Sequence, residues 1–192
     1  MFIDRFNEDF APLLGPRGPT FRKLFEKLDE KADKWEFLNI VETGCLRLKD
    51  NWAGDRQSTF LFNEFLKTRD GASAWAVDIN PDSVREAKTL CDKVLVVEGD
   101  GTKFLAGFGL HIDVLYLDSM DLDWANPTPS ALNHFFELCA AQRWLGKGSL
   151  VMVDDTVFQD GQWLGKGTLV CQYFERTGAK LLASGYQALW EL

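Results

Sequence analysis

Phe37-Leu38-Asn39-Ile40-Val41-Glu42-Thr43-Gly44 is the stretch on which the fold turns. A short, apolar, β-rich run from Phe37 to Val41 ends on a carboxylate, a hydroxyl and a glycine. The same shape recurs four times downstream. Ala74 to Val77 closes on Asp78, and Val94 to Val97 closes on Glu98-Gly99-Asp100-Gly101. Ile112 to Leu117 closes on Asp118, and Leu150 to Val153 closes on Asp154-Asp155. Apolar runs of this length without polar alternation suit strands covered on both faces, as in a parallel sheet.

The segments between these runs read as helices. Ser58 or Thr59 caps an apolar helix through Phe60, Phe62, Phe65 and Leu66, which Gly71 stops. Asn80-Pro81 opens another, with Pro81 in the favoured first turn. A short helix surrounds Phe104. Ser130 to Leu145 forms a longer one with Leu132, Phe135, Phe136, Leu138 and Cys139 inward. Leu169 to Thr177, capped by Thr168 and closed by Gly178, is the last. Lys180 to Ser184 and Gln187 to Leu192 flank a Gly185-Tyr186 turn too short for a crossover, so the final strand is antiparallel. Upstream, Met1 to Pro19, with Pro12, Gly15-Pro16 and Gly18-Pro19, reads as an irregular arm. Thr20 caps a helix to about Trp35. The whole predicts a Rossmann-like three-layer α/β sandwich with a mostly parallel seven-stranded sheet, its last strand antiparallel. It forms one domain over residues 1–192: an arm and helix over 1–34 and a core over 35–192.

Composition narrows the function. With 192 residues, 46% hydrophobic and 26% charged, the chain can bury one sizeable core. A net charge of -8 argues against nucleic acid, which calls for a basic face. No apolar stretch reaches membrane-spanning length, so no membrane partner is expected. Met1 to Arg5 lacks the pattern of a signal peptide. Cys45, Cys91, Cys139 and Cys171 form no C-x-x-C pair and read as buried free thiols in a cytoplasmic protein. A homo-oligomer stays open.

In open α/β sheets, ligands bind beyond the carboxyl ends of the strands. Carboxylates at five successive strand ends therefore mark a site rather than a run of turns. After the first strand only Gly44 is present, where a dinucleotide fingerprint needs G-x-G-x-x-G, so a nicotinamide-dependent oxidoreductase is disfavoured. Gly165-Lys166-Gly167-Thr168 also fails as a phosphate loop, because the hydroxyl does not directly follow the lysine. A row of carboxylates suits a ligand with a positive centre and no phosphate. Trp144-Leu145-Gly146-Lys147-Gly148 recurs as Trp163-Leu164-Gly165-Lys166-Gly167, which reads as coincidence, since solenoids need more copies.

Val41 to Gly44, Ala76 to Asp78, Glu98 to Gly101 and Leu115 to Ser119 together resemble the ordered motifs of class I S-adenosylmethionine-dependent methyltransferases. That resemblance spans about Trp35 to Leu192. It implies that Glu42, Thr43 and Gly44 lie under the methionyl part and that Arg47 meets its carboxylate. It further implies that Asp78 accepts the ribose hydroxyls, that Asp100 meets the adenine amino group and that Asp118 adjoins the cofactor. The long loop with Asn51-Trp52-Ala53-Gly54-Asp55 is similar to a subgroup lacking the extra glycines.

Asp118 with Asp154 and Asp155 is similar to the metal-ligand set of metal-dependent small-molecule O-methyltransferases. This implies Mg²⁺ orienting a hydroxylated small-molecule acceptor. In the catechol type a lysine stands three positions after the first metal acid. Here Asp121 stands there, which leaves Asp121, Asp123 and His134 beside Asp118 as candidate catalytic groups. His134, next to Phe135 and Phe136, reads more readily as a packing residue, and His111 as surface. Trp52, Trp124, Phe158 and Trp163 fall in loops on the ligand side. The competing readings are a metal-independent methyltransferase and a nucleoside-binding module without turnover.

Overall fold

The computed structural model describes residues 1–32, 37–52 and 57–192. The expected helix end near Trp35 and the Ala53-Gly54-Asp55 part of the long loop lie outside the described residues. Strands β1 (Leu38–Thr43), β2 (Ala72–Asp78), β3 (Val94–Glu98), β4 (Val114–Leu117) and β5 (Leu150–Val153) pair in parallel in the order β3-β2-β1-β4-β5. The sheet then takes in β9 (Ala188–Glu191), antiparallel beside β5, with β8 (Lys180–Ser184) at the edge. This is the seven-stranded, mostly parallel Rossmann-like sandwich expected from the apolar runs. A separate hairpin of β6 (Thr156–Gln159) and β7 (Gln162–Gly165), absent from the sequence reading, lies between β5 and α7 (Thr168–Thr177).

Successive residues in each strand feed opposite layers. Ile40, Tyr116 and Met152 face one apolar cluster with Phe25, Phe62 and Phe65. Those rings come from α2 (Gly18–Ala32) and α3 (Ser58–Leu66). Val41, Leu115 and Val151 face the other cluster with Leu138 and Phe174. The latter two come from α6 (Thr128–Ala141) and α7. Two further helices, α4 (Pro81–Leu90) and α5 (Gly101–Ala106), complete the layers.

The arm is not irregular. It is helical throughout: α1 (Phe2–Arg5), a π-turn over Phe6–Phe10, and two 3-10 turns, Ala11–Leu13 and Gly15–Arg17. Phe2, Phe6 and Phe10 sit four apart and are buried, Phe2 against Phe25 and Phe65, Phe6 against Phe25, and Phe10 against Phe60. Pro12 and Pro16 stand in the first turns of short 3-10 helices and Pro19 in the first turn of α2, where a missing N–H costs nothing, so they do not break the arm.

Helix α6 is also rotated from expectation. Its buried residues are Ser130, Ala131, His134, Glu137, Leu138 and Ala141, while Leu132, Phe136 and Cys139 face outward. The face presented to the sheet includes polar groups because its first turns border the ligand end. The last helix starts at Thr168 with Gly167 at its cap. Thr168 Oγ1 instead donates back to the Gly165 carbonyl at 2.9 Å.

Candidate functional site

The order of strands reverses at β1, which has β2 on one side and β4 on the other. Beyond the carboxyl ends at this switch point lie two cavities. One of about 180 Å³ is walled by Glu42, Gly44, Arg47, Asp78, Asp118 and Asp121. The other, about 250 Å³, is walled by Asp100, Gly101, Met120, Asn133 and Glu137. Asp78, Ile79 and Ser119 belong to both, so the two form one cleft with Asp78 at its waist.

Gly44 makes the first cavity possible. Its φ is +85°, and a Cβ there would lie 2.6 Å from the Asp118 carbonyl oxygen. Its N–H donates to the Val77 carbonyl at 2.8 Å, pulling the turn across β2. One glycine at the crossing of β1 and β4 thus does the steric work for which a phosphate cradle uses three. Asp78 holds this turn: its two oxygens accept the N–H groups of Cys45 at 3.1 Å and Asn80 at 2.8 Å. Asp100 caps α5 through the Lys103 N–H at 3.0 Å and stays exposed at the rim of the second cavity.

Glu42 borders the first cavity, whereas Thr43 borders neither. Glu42 is buried and accepts the hydroxyls of Ser58 and Thr59, so its charge sits at the positive end of α3. Thr43 is buried and donates to Glu137 Oε2 at 2.9 Å. Sequence reading missed Glu137. Burial pushes its carboxyl up to about 7, with Asp100 adding to the rise, while hydrogen bonds from Ser119, Thr43 and Asn133 oppose it. The signal was there: Ser130, His134 and Glu137 recur at helical spacing as a polar stripe. Beneath the turn between β3 and α5, a Cβ on Gly101 would meet Glu137 Oε1 at 2.6 Å.

Two other candidates pair with each other. Arg47 donates to Asp121 Oδ2 at 3.1 Å across the mouth of the first cavity, with both side chains exposed. His134 is fully buried, its Nδ1 2.6 Å from the Ser130 carbonyl, one turn earlier on its own helix. It packs rather than facing the cleft. Asp123 caps a turn through the Ala125 N–H. Of the loop aromatics, Trp163 is buried in β7, and Trp52 packs on Phe10 and Phe60. Trp124 and Phe158 remain half exposed.

Asp118, Asp154 and Asp155 converge as expected, each offering an oxygen within 4.8 Å of the others. The positive charge among them comes from the chain itself. Lys166, wholly buried, donates to Asp118 Oδ1 at 2.9 Å and lies 3.0 Å from Asp155 Oδ2. Arg17 grips Asp154 through Nε, at 3.0 and 3.1 Å, and reaches Asp155 Oδ1 through Nη2 at 3.0 Å. Its guanidinium lies 4.6 Å over the Tyr186 ring, and the two aspartates hold its pKa above the ordinary value despite the opposing effect of burial. With two cations already seated among three carboxylates, the residues present do not fit a divalent metal.

The fold has counterparts among solved structures. The MycE methyltransferase of the mycinamycin biosynthetic pathway, solved with Mg, SAH and mycinamycin VI, superposes at a TM-score of 0.60 and 13% identity over 91% of this chain and 49% of that one. Human N-acetylserotonin methyltransferase with SAM gives 0.54 and 14% over 91% and 52%. Aeropyrum pernix fibrillarin with natively bound S-adenosyl-L-methionine gives 0.52 and 12% over 81% and 66%. This chain thus spans about half to two thirds of their lengths. No family model and no curated protein sequence matches it. The chain shares the fold of these three methyltransferase structures.

Proposed function

We propose that this chain is an S-adenosylmethionine-dependent methyltransferase acting on a small hydroxylated molecule without the help of a metal. The observation that carries the reading is the two-lobed cleft at the switch point, with Gly44 at its base and Asp78 at its waist. Among the described residues, four carboxylates, Glu42, Asp78, Asp118 and Asp121, line the first lobe against one arginine, Arg47. That balance favours a sulfonium over a phosphate. When bound, the cofactor supplies a methyl group on a positively charged sulfur.

The chain's own residues bind and orient. Asp78, fixed by two backbone N–H groups, is suited to accept from the ribose hydroxyls, and Asp100 and Glu137 flank the lobe suited to adenine. Asp118 lines the first lobe beside Gly44 and is the carboxylate placed to hold the acceptor's O–H. Arg47 and Asp121 narrow the mouth, limiting water. The Mg²⁺ that the sequence resemblance implied has no part in this reading, because Arg17 and Lys166 occupy its place.

The test combines binding with turnover. SAH should raise the melting temperature by mass action. Labelled methyl should pass from S-adenosylmethionine to members of a hydroxylated small-molecule panel, equally with and without EDTA. Saturable SAH binding with no transfer to any acceptor class would instead favour a nucleoside-binding module. Activity that EDTA abolishes and Mg²⁺ restores would reject the metal-free mechanism.

A further inference from the structure

We infer that Arg17 and Lys166 are the resident cation of the acceptor end of this cleft: two tethered positive charges standing where three converging carboxylates would otherwise demand a divalent ion. Arg17 thereby makes the N-terminal segment a working part of the site.

Three observations carry the inference. The first is charge and reach. Lys166 meets Asp118 and Asp155, and Arg17 meets Asp154 and Asp155, at 2.9 to 3.1 Å, and together the two side chains carry the charge of one Mg²⁺. The second is burial. Lys166 and Asp154 are fully buried, and buried ion pairs of this kind are commonly no more stabilising than apolar side chains of the same volume. Stability alone does not account for their presence, whereas a need to hold the Asp118 carboxylate in place beside the first cavity does.

The third is the strained backbone that delivers the lysine. Asp155 takes a left-handed φ of 42°. A Cβ on Gly165 would lie 2.0 Å from the Asp155 carbonyl, and one on Gly167 would lie 2.4 Å from Thr156 Oγ1. The two arms at the base of the β6–β7 hairpin meet so closely, Thr156 pairing with Gly165, that only glycines fit on either side of Lys166, whose own N–H donates to the Asp155 carbonyl at 3.0 Å. Strain of this sort gathers at functional sites. Arg17 arrives from the opposite end of the chain and rests on Tyr186.

The consequence for the acceptor rests on the methyltransferase reading; the charge arrangement does not. With no metal to chelate, the acceptor needs no pair of neighbouring oxygens. A single O–H presented to Asp118 would suffice, its proton passing to that carboxylate as the oxygen takes up the methyl group.

The experiment is a Mn²⁺ titration of the full chain, followed by electron paramagnetic resonance and thermal shift, with no acceptor present. Wild type should show no saturable binding in the micromolar range and no change in melting temperature. Lys166→Ala should melt lower than wild type, gain saturable Mn²⁺ binding at least about tenfold tighter, and regain melting temperature as the ion is added. The double variant Lys166→Ala/Asp154→Asn should lose that binding. Arg17→Ala, nearer the surface, repeats the test if Lys166→Ala does not fold. Micromolar Mn²⁺ binding by wild type overturns the inference and needs no variant. So does a folded Lys166→Ala or Arg17→Ala that gains no Mn²⁺ site. Failure of the methyltransferase reading would appear separately, as wild type that does not bind SAH.

Discussion

Thr43, the last residue of β1, donates its hydroxyl to Glu137 Oε2 over 2.9 Å, tying β1 to α6 beside the second cavity. The carboxyl it meets is held up to about 7, chiefly by burial. A carboxyl raised on folding binds its proton more tightly in the native state than in the unfolded one. The stabilisation this gives is fully present below the unfolded value of 4.5 and is lost as pH rises through about 7. Unfolding free energy should therefore decline between those limits by on the order of 3 kcal/mol from this group. Glu137→Gln, which keeps the shape and removes the proton, should flatten the decline. Urea unfolding at a series of pH values checks this, and an identical slope in the variant would contradict it.

Asp78 at the waist of the cleft gives a second test. Asp78→Ala removes the carboxylate proposed to accept the ribose hydroxyls and releases the Cys45 N–H it now holds. SAH affinity should fall by about ten- to hundredfold, the worth of a charge-assisted hydrogen bond. Calorimetry on the folded variant measures it, and unchanged affinity would remove Asp78 from the binding role.

Gly44→Ala should hurt both stability and binding. The new methyl would meet the Asp118 carbonyl at 2.6 Å on a backbone already at φ +85°. Strain of this kind costs on the order of 1–3 kcal/mol. The main chain of Asp118 must also move, which should loosen SAH. A variant as stable as wild type in urea would mean that the turn has room the structure does not give it.

Arg17→Ala probes the buried cluster from its edge. Asp154 is fully buried and would lose both guanidinium contacts, an arrangement that typically costs about 3–5 kcal/mol. Because the pair is shielded, about 1 M salt should recover little of the loss. A penalty below about 1 kcal/mol that disappears in salt would class the contact with ordinary surface pairs.

The core strands were legible because buried parallel strands leave unbroken apolar runs, and each run ended on a carboxylate where the ligand end lies. The antiparallel β9 followed from a turn too short for a crossover. The candidate site was legible only where its residues follow strands. Lys166 shows the limit. Trp144 to Gly148 and Trp163 to Gly167 are identical five-residue stretches, yet Lys147 is exposed and Lys166 is wholly buried. Nothing local separates them; the hairpin and the distant aspartates do. Arg17 was hidden for a related reason, since its glycines and prolines read as breaks rather than as short helical turns. Glu137 was missed because the apolar residues of α6 were assigned inward, while its first turns face the cleft.

The reach of Arg17 also bears on how the protein is made. Its partner Asp154 lies 137 residues later, and Lys166 later still. Contacts so distant in sequence form late and slow the search for the native state. While the chain is being synthesised from its first residue, the guanidinium has no carboxylate to meet until β5 has emerged. β9, which must insert between β5 and β8, comes last of all. Nascent chains halted before Asp154 should therefore leave the first helices accessible to protease, and protection of that segment should arise only once the far end of the chain is released.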